Sequence, residues 1–146
     1  MAIRHITRFG IQRKIVANMT SESWKNTPHV CYTYDADVTK FQAAFKEYTE
    51  KHKDDEYKLT FNGVILKAVS EGLKAAPEMN SHMHFEKKLV RGKITTFDNI
   101  DISVPWPLPD GSMMTVNMKD MGNKSLQDIA KYTADINRKL ANTNLT

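Results

Sequence analysis

A row of chemically capable side chains alternates with apolar ones along the segment TPHVCYTYDADVTKF, residues 27–41. Successive side chains of a β-strand point to opposite faces, so the alternation predicts a strand with one core face and one polar face. The polar face would lie in solvent or at an interface, because a two-layer fold normally buries one face of a sheet. The core face would carry Val30, Tyr32, Tyr34, Ala36 and Val38, and the polar face would carry His29, Cys31, Thr33, Asp35 and Asp37.

The polar face includes a candidate thiol nucleophile beside a candidate base. His29 and Cys31 would lie about 7 Å apart at Cα on one strand face, within reach of a Cys–His nucleophilic pair. The surrounding sequence offers no group for an oxyanion hole. We therefore favour an exposed or interfacial strand face and keep the nucleophilic site as the alternative.

A second histidine pair occurs in the segment SHMHF, residues 81–85. His82 and His84 would share one strand face, and such a pair binds Zn²⁺ when a third ligand is available. His52 or Asp54 could supply that ligand, although their spacing does not require it. We favour two polar residues on an exposed face and predict no metal site.

Two further stretches are unusual in composition. The run EKKLVRGK, residues 86–93, sets four basic residues against one acidic residue. It could bind phosphate, including that of a nucleic acid, but a solvated hairpin is favoured and we predict no nucleic-acid partner. The run SMMTVNMKDM, residues 112–121, fits either plain core or a flexible ligand channel, because methionine adapts to irregular apolar shapes.

Length and composition are those of an ordinary globular protein. The 146 residues are 40% apolar and 26% charged, with a net charge of +4, and predict a single domain over residues 1–146. No apolar run reaches the roughly 18 residues of a membrane span, and the charged start MAIRHITRFG does not fit a signal peptide. We therefore expect a cytoplasmic protein with no membrane partner. Cys31 is the single cysteine, which excludes an internal disulfide.

Hydrophobic periodicity predicts four helices and several strands. Helices are expected from Ile11 to near Trp24, after an N-cap at Asp37 or Thr39, from Thr60 to Pro77, and from Ser125 onward. Besides the segment quoted first, strands are expected at SHMHFEK, KLVRG, NIDISV and SMMTVNM, with a turn at PLPDGS. This pattern predicts an α+β two-layer sandwich, with helices on a mixed, mostly antiparallel sheet.

Several segments, taken in order, resemble the N-terminal part of the catalytic domain of dihydrolipoyl acyltransferases, the acyl-transferring components of 2-oxo acid dehydrogenase complexes. The resemblance implies a partial chloramphenicol acetyltransferase-like fold, without a lipoyl or subunit-binding domain. It rests mainly on Arg13-Lys14, Pro28-His29-Val30, Leu59-Thr60-Phe61, Pro77 with Asn80, and Asp110-Gly111.

The resemblance also implies a reaction and an assembly. The family transfers an acyl group between the thiol of a lipoyl group and coenzyme A, which are its substrates, and it needs no metal. A histidine acts as general base, and a serine or threonine hydroxyl stabilises the oxyanion. Family members form trimers with the active site between subunits, so we expect a homo-oligomer and, as further partners, a lipoyl domain or a completing chain.

The family's base lies in a His-x-x-x-Asp-Gly segment, and none of the five histidines of this sequence begins one. We therefore expect no catalytic residue within the 146 residues and no activity of the chain alone. A noncatalytic binding or assembly module is the alternative. By resemblance, Arg13 would support the site by holding the acidic residue after the base, and the expected substrate-binding residues are His29, Met113, Thr115 and Asn117.

Overall fold

The computed structural model describes residues 3–108 and 113–142, and the chain divides into two units, residues 1–37 and 38–146. The first unit contains helix α1 (Ile11–Asn26). The second contains α2 (Thr39–Lys51), α3 (Phe61–Ala75), β1 (Ser81–Glu86), β2 (Arg91–Thr96), β3 (Ile102–Pro107), β4 (Met113–Met118) and α4 (Leu126–Ala141). The four predicted helices are confirmed.

The first unit has no core of its own among its described residues. Every residue from 3 to 37 is exposed, including the apolar row along α1 formed by Ile11, Ile15 and Met19. Hydrophobic periodicity therefore predicted this helix correctly, but the apolar side chains that it indicates are not buried.

The strand expected at residues 28–37 is not formed. This segment lies outside every helix and strand, and the side chains expected in the core, Val30, Tyr32 and Tyr34, are 91%, 92% and 82% exposed. A strand is stabilised by pairing with a neighbour, and no backbone hydrogen bond joins residues 29–36 to another described residue. The alternating pattern therefore indicates a tendency to form a strand, but no described strand pairs with this segment.

Helix α3 begins at its predicted cap. The Thr60 hydroxyl accepts a hydrogen bond from the Gly63 amide at 3.1 Å, which satisfies one of the free donors of the first turn. The α2 rings Phe41 and Phe45 pack edge-on against Phe61, with centroids 5.5 and 6.0 Å apart. These contacts join α2 to the start of α3.

Strands β1 and β2 form an antiparallel hairpin, with Ser81 opposite Thr96 and Glu86 opposite Arg91. The expected KLVRG strand is displaced, because residues 87–90 form the turn and β2 begins at Arg91. The basic run therefore lies on a hairpin, as favoured from the sequence. Asn80 secures the base of the hairpin through its amide, which donates to the carbonyls of Phe97 at 2.7 Å and Asn99 at 3.0 Å.

Strands β3 and β4 form a second antiparallel hairpin. The expected NIDISV strand begins later than predicted, at Ile102, and runs through Pro107. Ile100 precedes the strand and is buried, while its carbonyl accepts from the Met121 amide at 2.7 Å. The described residues of the expected PLPDGS turn are Pro107, within β3, and Leu108; the rest lie outside the described residues.

The core lies where α4 covers one face of the β3–β4 hairpin and contacts α3. Met118, Met121 and Ile129 are fully buried there. The methionine-rich run is therefore divided, since Met118 and Met121 are core whereas Met113 is exposed. Partly buried side chains that pack on this core are Leu66, Leu73, Ile102, Val104, Trp106, Val116, Tyr132 and Leu140.

The α+β class is confirmed, but the described strands form two separate two-stranded sheets rather than the single mixed sheet that was expected. Both sheets are antiparallel hairpins. Alternating patterns identified the strands, but pairing between distant strands depends on contacts that a local pattern does not encode.

Helix α4 begins with a reciprocal cap that makes stability depend on pH. The Ser125 hydroxyl and amide donate to the Asp128 carboxylate at 2.6 and 3.0 Å, and these bonds hold the pKa of Asp128 below its ordinary value. A depressed folded-state pKa stabilises the fold above the unfolded pKa of about 3.9, and the contribution is lost as pH falls through the folded value.

Replacing Ser125 by Ala should therefore weaken the dependence of the unfolding free energy on pH at acidic pH. We expect the unfolding free energy of the parent chain, measured with urea between about pH 5 and pH 2, to fall more steeply than that of Ser125→Ala. Ser81→Ala is the control, because its hydroxyl donates to the Glu78 carbonyl rather than to a carboxylate. Equal acid slopes for Ser125→Ala and the parent chain would contradict this account of the cap.

Candidate functional site

Three of the four expected substrate-binding residues share one face of β4. Met113, Thr115 and Asn117 are exposed, whereas the intervening Met114, Val116 and Met118 are half-buried or buried. Alternate residues of a strand recur about every 7 Å, so the three side chains form a row, here called the β4 row. The structure therefore brings these three residues together on one exposed face, and their binding role stays a prediction.

The β4 row is matched by a row of strand β3. The residues opposite it are Pro107, Pro105 and Ser103. Proline has no amide hydrogen to offer a neighbouring strand. The exposed hairpin face thus combines an apolar end, Met113 with Pro107, and a polar end, Asn117 with Ser103.

A cleft of about 300 Å³ lies beside this hairpin. Trp106 forms part of its wall and is held there by its indole N–H, which donates to the Asn137 side-chain oxygen at 3.0 Å. Small-molecule sites are concave and mostly apolar with a few polar groups, and this cleft has that character. Its lining residues are Thr60, Asn62, Gly63, Leu66, Val104, Pro105, Trp106, Pro107 and Thr133.

Sequence reasoning missed this cleft as a site. The available signal was Trp106, a large aromatic side chain next to prolines in the sequence VPWP. The cleft also requires the start of α3, strand β3 and Thr133 of α4 to meet, and these segments lie far apart in the sequence. Hydrophobic periodicity predicts each of these elements separately, but it does not predict that they pack together around a cleft.

Arg13 and His29 both lie in the first unit and are exposed. Arg13 belongs to α1 and forms no ion pair with another described residue. The His29 ring stacks on Trp24, with centroids 5.5 Å apart and planes inclined by 22°. Cys31 is an exposed free thiol, and no described hydrogen bond joins it to His29, so the nucleophilic pair gains no support.

The second histidine pair has other neighbours. His82 packs edge-on against Phe97, with centroids 4.9 Å apart, and His52 lies 2.9 Å from the Asp55 carboxylate. Across residues 3–108 and 113–142, no group of three or more His, Cys, Asp or Glu side chains is placed to hold a metal ion. The zinc alternative therefore gains no support either.

Clear pKa shifts occur at groups with structural partners, away from the β4 row. Hydrogen bonds from Lys67 and Lys74 lower the pKa of Glu71 on α3. A hydrogen bond with Glu56 raises the pKa of Tyr57. Neither arrangement activates a group on the exposed face of the β3–β4 hairpin.

The described helices are too short or too polar to cross a lipid bilayer.

Comparison with known proteins identifies the family. The model of the catalytic domain of the 2-oxoacid dehydrogenases acyltransferase family matches residues 3–146. The chain is 30% identical over 138 residues to the lipoamide acyltransferase component of the branched-chain alpha-keto acid dehydrogenase complex of Bacillus subtilis, covering 94% of this chain and 31% of that protein. It is 34% identical over 128 residues to the dihydrolipoyllysine-residue acetyltransferase component of the Pseudomonas aeruginosa pyruvate dehydrogenase complex, covering 85% and 22%.

Solved structures agree with this assignment. A probable dihydrolipoamide acetyltransferase from Listeria monocytogenes superposes with a TM-score of 0.79 at 25% identity, over 97% of this chain and 58% of that one. The cubic core of a pyruvate dehydrogenase multienzyme complex gives a TM-score of 0.75 at 26% identity, over 92% and 54%. The chain thus spans under a third of the two curated relatives and less than two thirds of each solved chain. By this match, the chain belongs to the 2-oxoacid dehydrogenase acyltransferase family.

Proposed function

We propose that this chain forms part of the catalytic domain of a CoA-dependent acyltransferase of a 2-oxo acid dehydrogenase complex. Its substrates would be an acyl group carried on a lipoyl thiol and coenzyme A. The observation that carries the proposal is the family match over residues 3–146. The chain alone would be inactive, because its sequence contains no His-x-x-x-Asp-Gly segment.

In the proposed reaction the CoA thiol loses its proton to a histidine base, and its sulfur attacks the thioester carbonyl of the acylated lipoyl group. The resulting tetrahedral oxyanion is stabilised by a serine or threonine hydroxyl. Its collapse breaks the bond from the carbonyl carbon to the lipoyl sulfur, and that sulfur takes the proton from the histidine. The base and the hydroxyl would come from polypeptide outside the 146 residues.

The chain's own residues would orient the reactants. Arg13 would hold the acidic residue that follows the base, since guanidinium pairs with carboxylate in a fixed planar geometry. Thr115 and Asn117 would offer hydrogen bonds to the polar arm of a thiol substrate, while Met113 would contact its apolar part. His29 would lie at the edge of the channel.

The proposed assembly is a homo-oligomer built from trimers, in which residues 1–146 belong to a single catalytic domain. A lipoyl domain or a completing chain would be a further partner. We also propose a cytoplasmic location, with which the exposed free thiol of Cys31 is consistent, because cytosolic thiols are kept reduced.

A noncatalytic assembly module is the second candidate, and the missing base segment favours it. Joining the chain to a base-containing segment distinguishes the two. In this joined chain, a flexible linker after Thr146 leads into the portion of the Listeria monocytogenes protein that follows the structural match. We expect acetyl transfer from acetyl-CoA to dihydrolipoamide, measured by chromatographic separation of acetyl-dihydrolipoamide from acetyl-CoA. A joined chain that folds but transfers no acetyl group would favour the noncatalytic module.

A further inference from the structure

An asparagine is followed by a glycine at a single place in the sequence, Asn62-Gly63. Both residues belong to the first turn of α3, and Asn62 is exposed. An Asn-Gly step is prone to spontaneous deamidation, because glycine has no Cβ atom to hinder attack by its own backbone nitrogen on the preceding side chain. The start of α3 therefore carries a reactive pair of residues.

The deamidation reaction requires only water and is independent of the proposed acyl transfer. The Gly63 nitrogen loses its proton and attacks the side-chain carbonyl carbon of Asn62, which forms a cyclic imide. The bond from that carbon to the side-chain nitrogen breaks, and the nitrogen takes up a proton and leaves as ammonia. Water then opens the ring at either carbonyl, which gives aspartate or isoaspartate at position 62.

A helix cap already occupies the nitrogen that would attack. The Gly63 amide donates its hydrogen to the Thr60 hydroxyl at 3.1 Å, so the proton that must leave is held in the N-cap bond. The Thr60 carbonyl in turn accepts from the Val64 amide at 3.2 Å. Helical dihedral angles also hold a backbone nitrogen away from the side-chain carbonyl of the preceding residue. Ring closure therefore requires the first turn of α3 to open.

Packing around the step adds to this restraint. Gly63 is buried, and the position that a Cβ atom would take there lies 3.5 Å from Cγ2 of Ile129 on α4. On the other side of the step, Phe61 contacts the rings of Phe41 and Phe45 on α2. The reactive step is thus exposed at its asparagine and enclosed at its glycine.

We propose that Asn62 is a site of spontaneous deamidation, and that the Thr60 cap sets its rate by binding the Gly63 amide that would attack. The aspartate product adds a negative charge to the cleft beside Trp106, whose lining residues otherwise carry no charged side chain. The isoaspartate product adds a carbon atom to the backbone, which breaks the regular spacing of the first helical turn. Either product changes the wall of the cleft.

Deamidation is measured by incubating the 146-residue chain at mildly alkaline pH and mapping its tryptic peptides by chromatography and mass spectrometry. Asn62 carries the only side-chain amide of the tryptic peptide LTFNGVILK, residues 59–67. Deamidation makes this peptide one mass unit heavier, and its aspartate and isoaspartate forms separate on chromatography.

The folded chain should deamidate at Asn62 at least about tenfold more slowly than the same chain in urea, because the reaction requires local opening. Equal rates in the two conditions would overturn control by the cap. No conversion of the peptide in urea would overturn the site itself.

Substitutions at the cap identify what sets the rate. Thr60→Ala removes the acceptor of the Gly63 amide and should raise the deamidation rate of the folded chain about fivefold, the scale of a typical N-cap. Thr60→Ser keeps an acceptor hydroxyl and should stay within about twofold of the parent chain. Equal rates for Thr60→Ala and the parent chain would overturn the assigned control.

Loss of a cap elsewhere separates local opening from global unfolding. Ser125→Ala removes the N-cap of α4 and leaves the bond from Gly63 to Thr60 in place. The deamidation rate of this variant should also stay within about twofold of the parent rate, because distant sites contribute independently. A rise as large as that of Thr60→Ala would mean that the reaction proceeds through unfolding of the whole second unit, which would overturn local control by Thr60.

Discussion

Replacing Arg13 by Ala should lower kcat of acetyl transfer by the joined chain about 100-fold, the scale expected when a catalytic group is misplaced by about 1 Å. In the proposed mechanism, Arg13 holds the carboxylate that follows the histidine base, so its loss frees the base to turn away from the attacking thiol. The KM for acetyl-CoA should change little, because Arg13 is assigned a positioning role rather than a contact with substrate.

Lys25→Ala is the matched control for Arg13→Ala. Lys25 lies in the last turn of the same helix, is also exposed, and carries the same charge. Its substitution should leave kcat within about twofold of the parent value, since no role in positioning is assigned to it. If the two variants lose the same activity, net charge rather than the position of Arg13 explains the effect, and the assigned role is wrong.

Replacing Ile129 by Ala should destabilise the second unit by about 2 to 5 kcal/mol, the range for a fully buried aliphatic side chain. Ile129 is 0% exposed and belongs to the core with Met118 and Met121. Its Cγ2 atom also approaches the α3 backbone, lying 3.5 Å from the position that a Cβ atom would take at Gly63. Truncation would leave a cavity where α4 meets α3.

The measurement for Ile129→Ala is urea unfolding of the chain followed by far-ultraviolet circular dichroism. Ile94→Ala is the control, because Ile94 is 67% exposed on β2 and should cost less than about 0.5 kcal/mol. A loss of under 1 kcal/mol for Ile129→Ala would mean that the core does not close around α4 as described.

Elements that depend on neighbouring residues could be predicted from the sequence. The cap at Thr60 lies three residues before its donor Gly63, and the α4 cap likewise joins Ser125 to Asp128. The β4 row also follows from a local rule, since alternate residues of any strand share a face. These features require no knowledge of distant parts of the chain.

Features that join distant residues could not be predicted in this way. The wall of the cleft depends on Trp106 bonding to Asn137, 31 positions later. The strand expected at residues 28–37 shows the same limit, because its alternating pattern is present but no described strand pairs with it. Residue patterns therefore located the candidate side chains but not the surfaces that complete a site around them.

We propose that this chain contributes to an acyltransferase site but lacks the base that the reaction requires. The most direct test is acetyl transfer from acetyl-CoA to dihydrolipoamide by the purified 146-residue chain alone. We expect a rate equal to the uncatalysed rate at every substrate concentration. Saturable transfer that increases with the amount of chain would contradict it, because a base within these 146 residues would then carry the reaction.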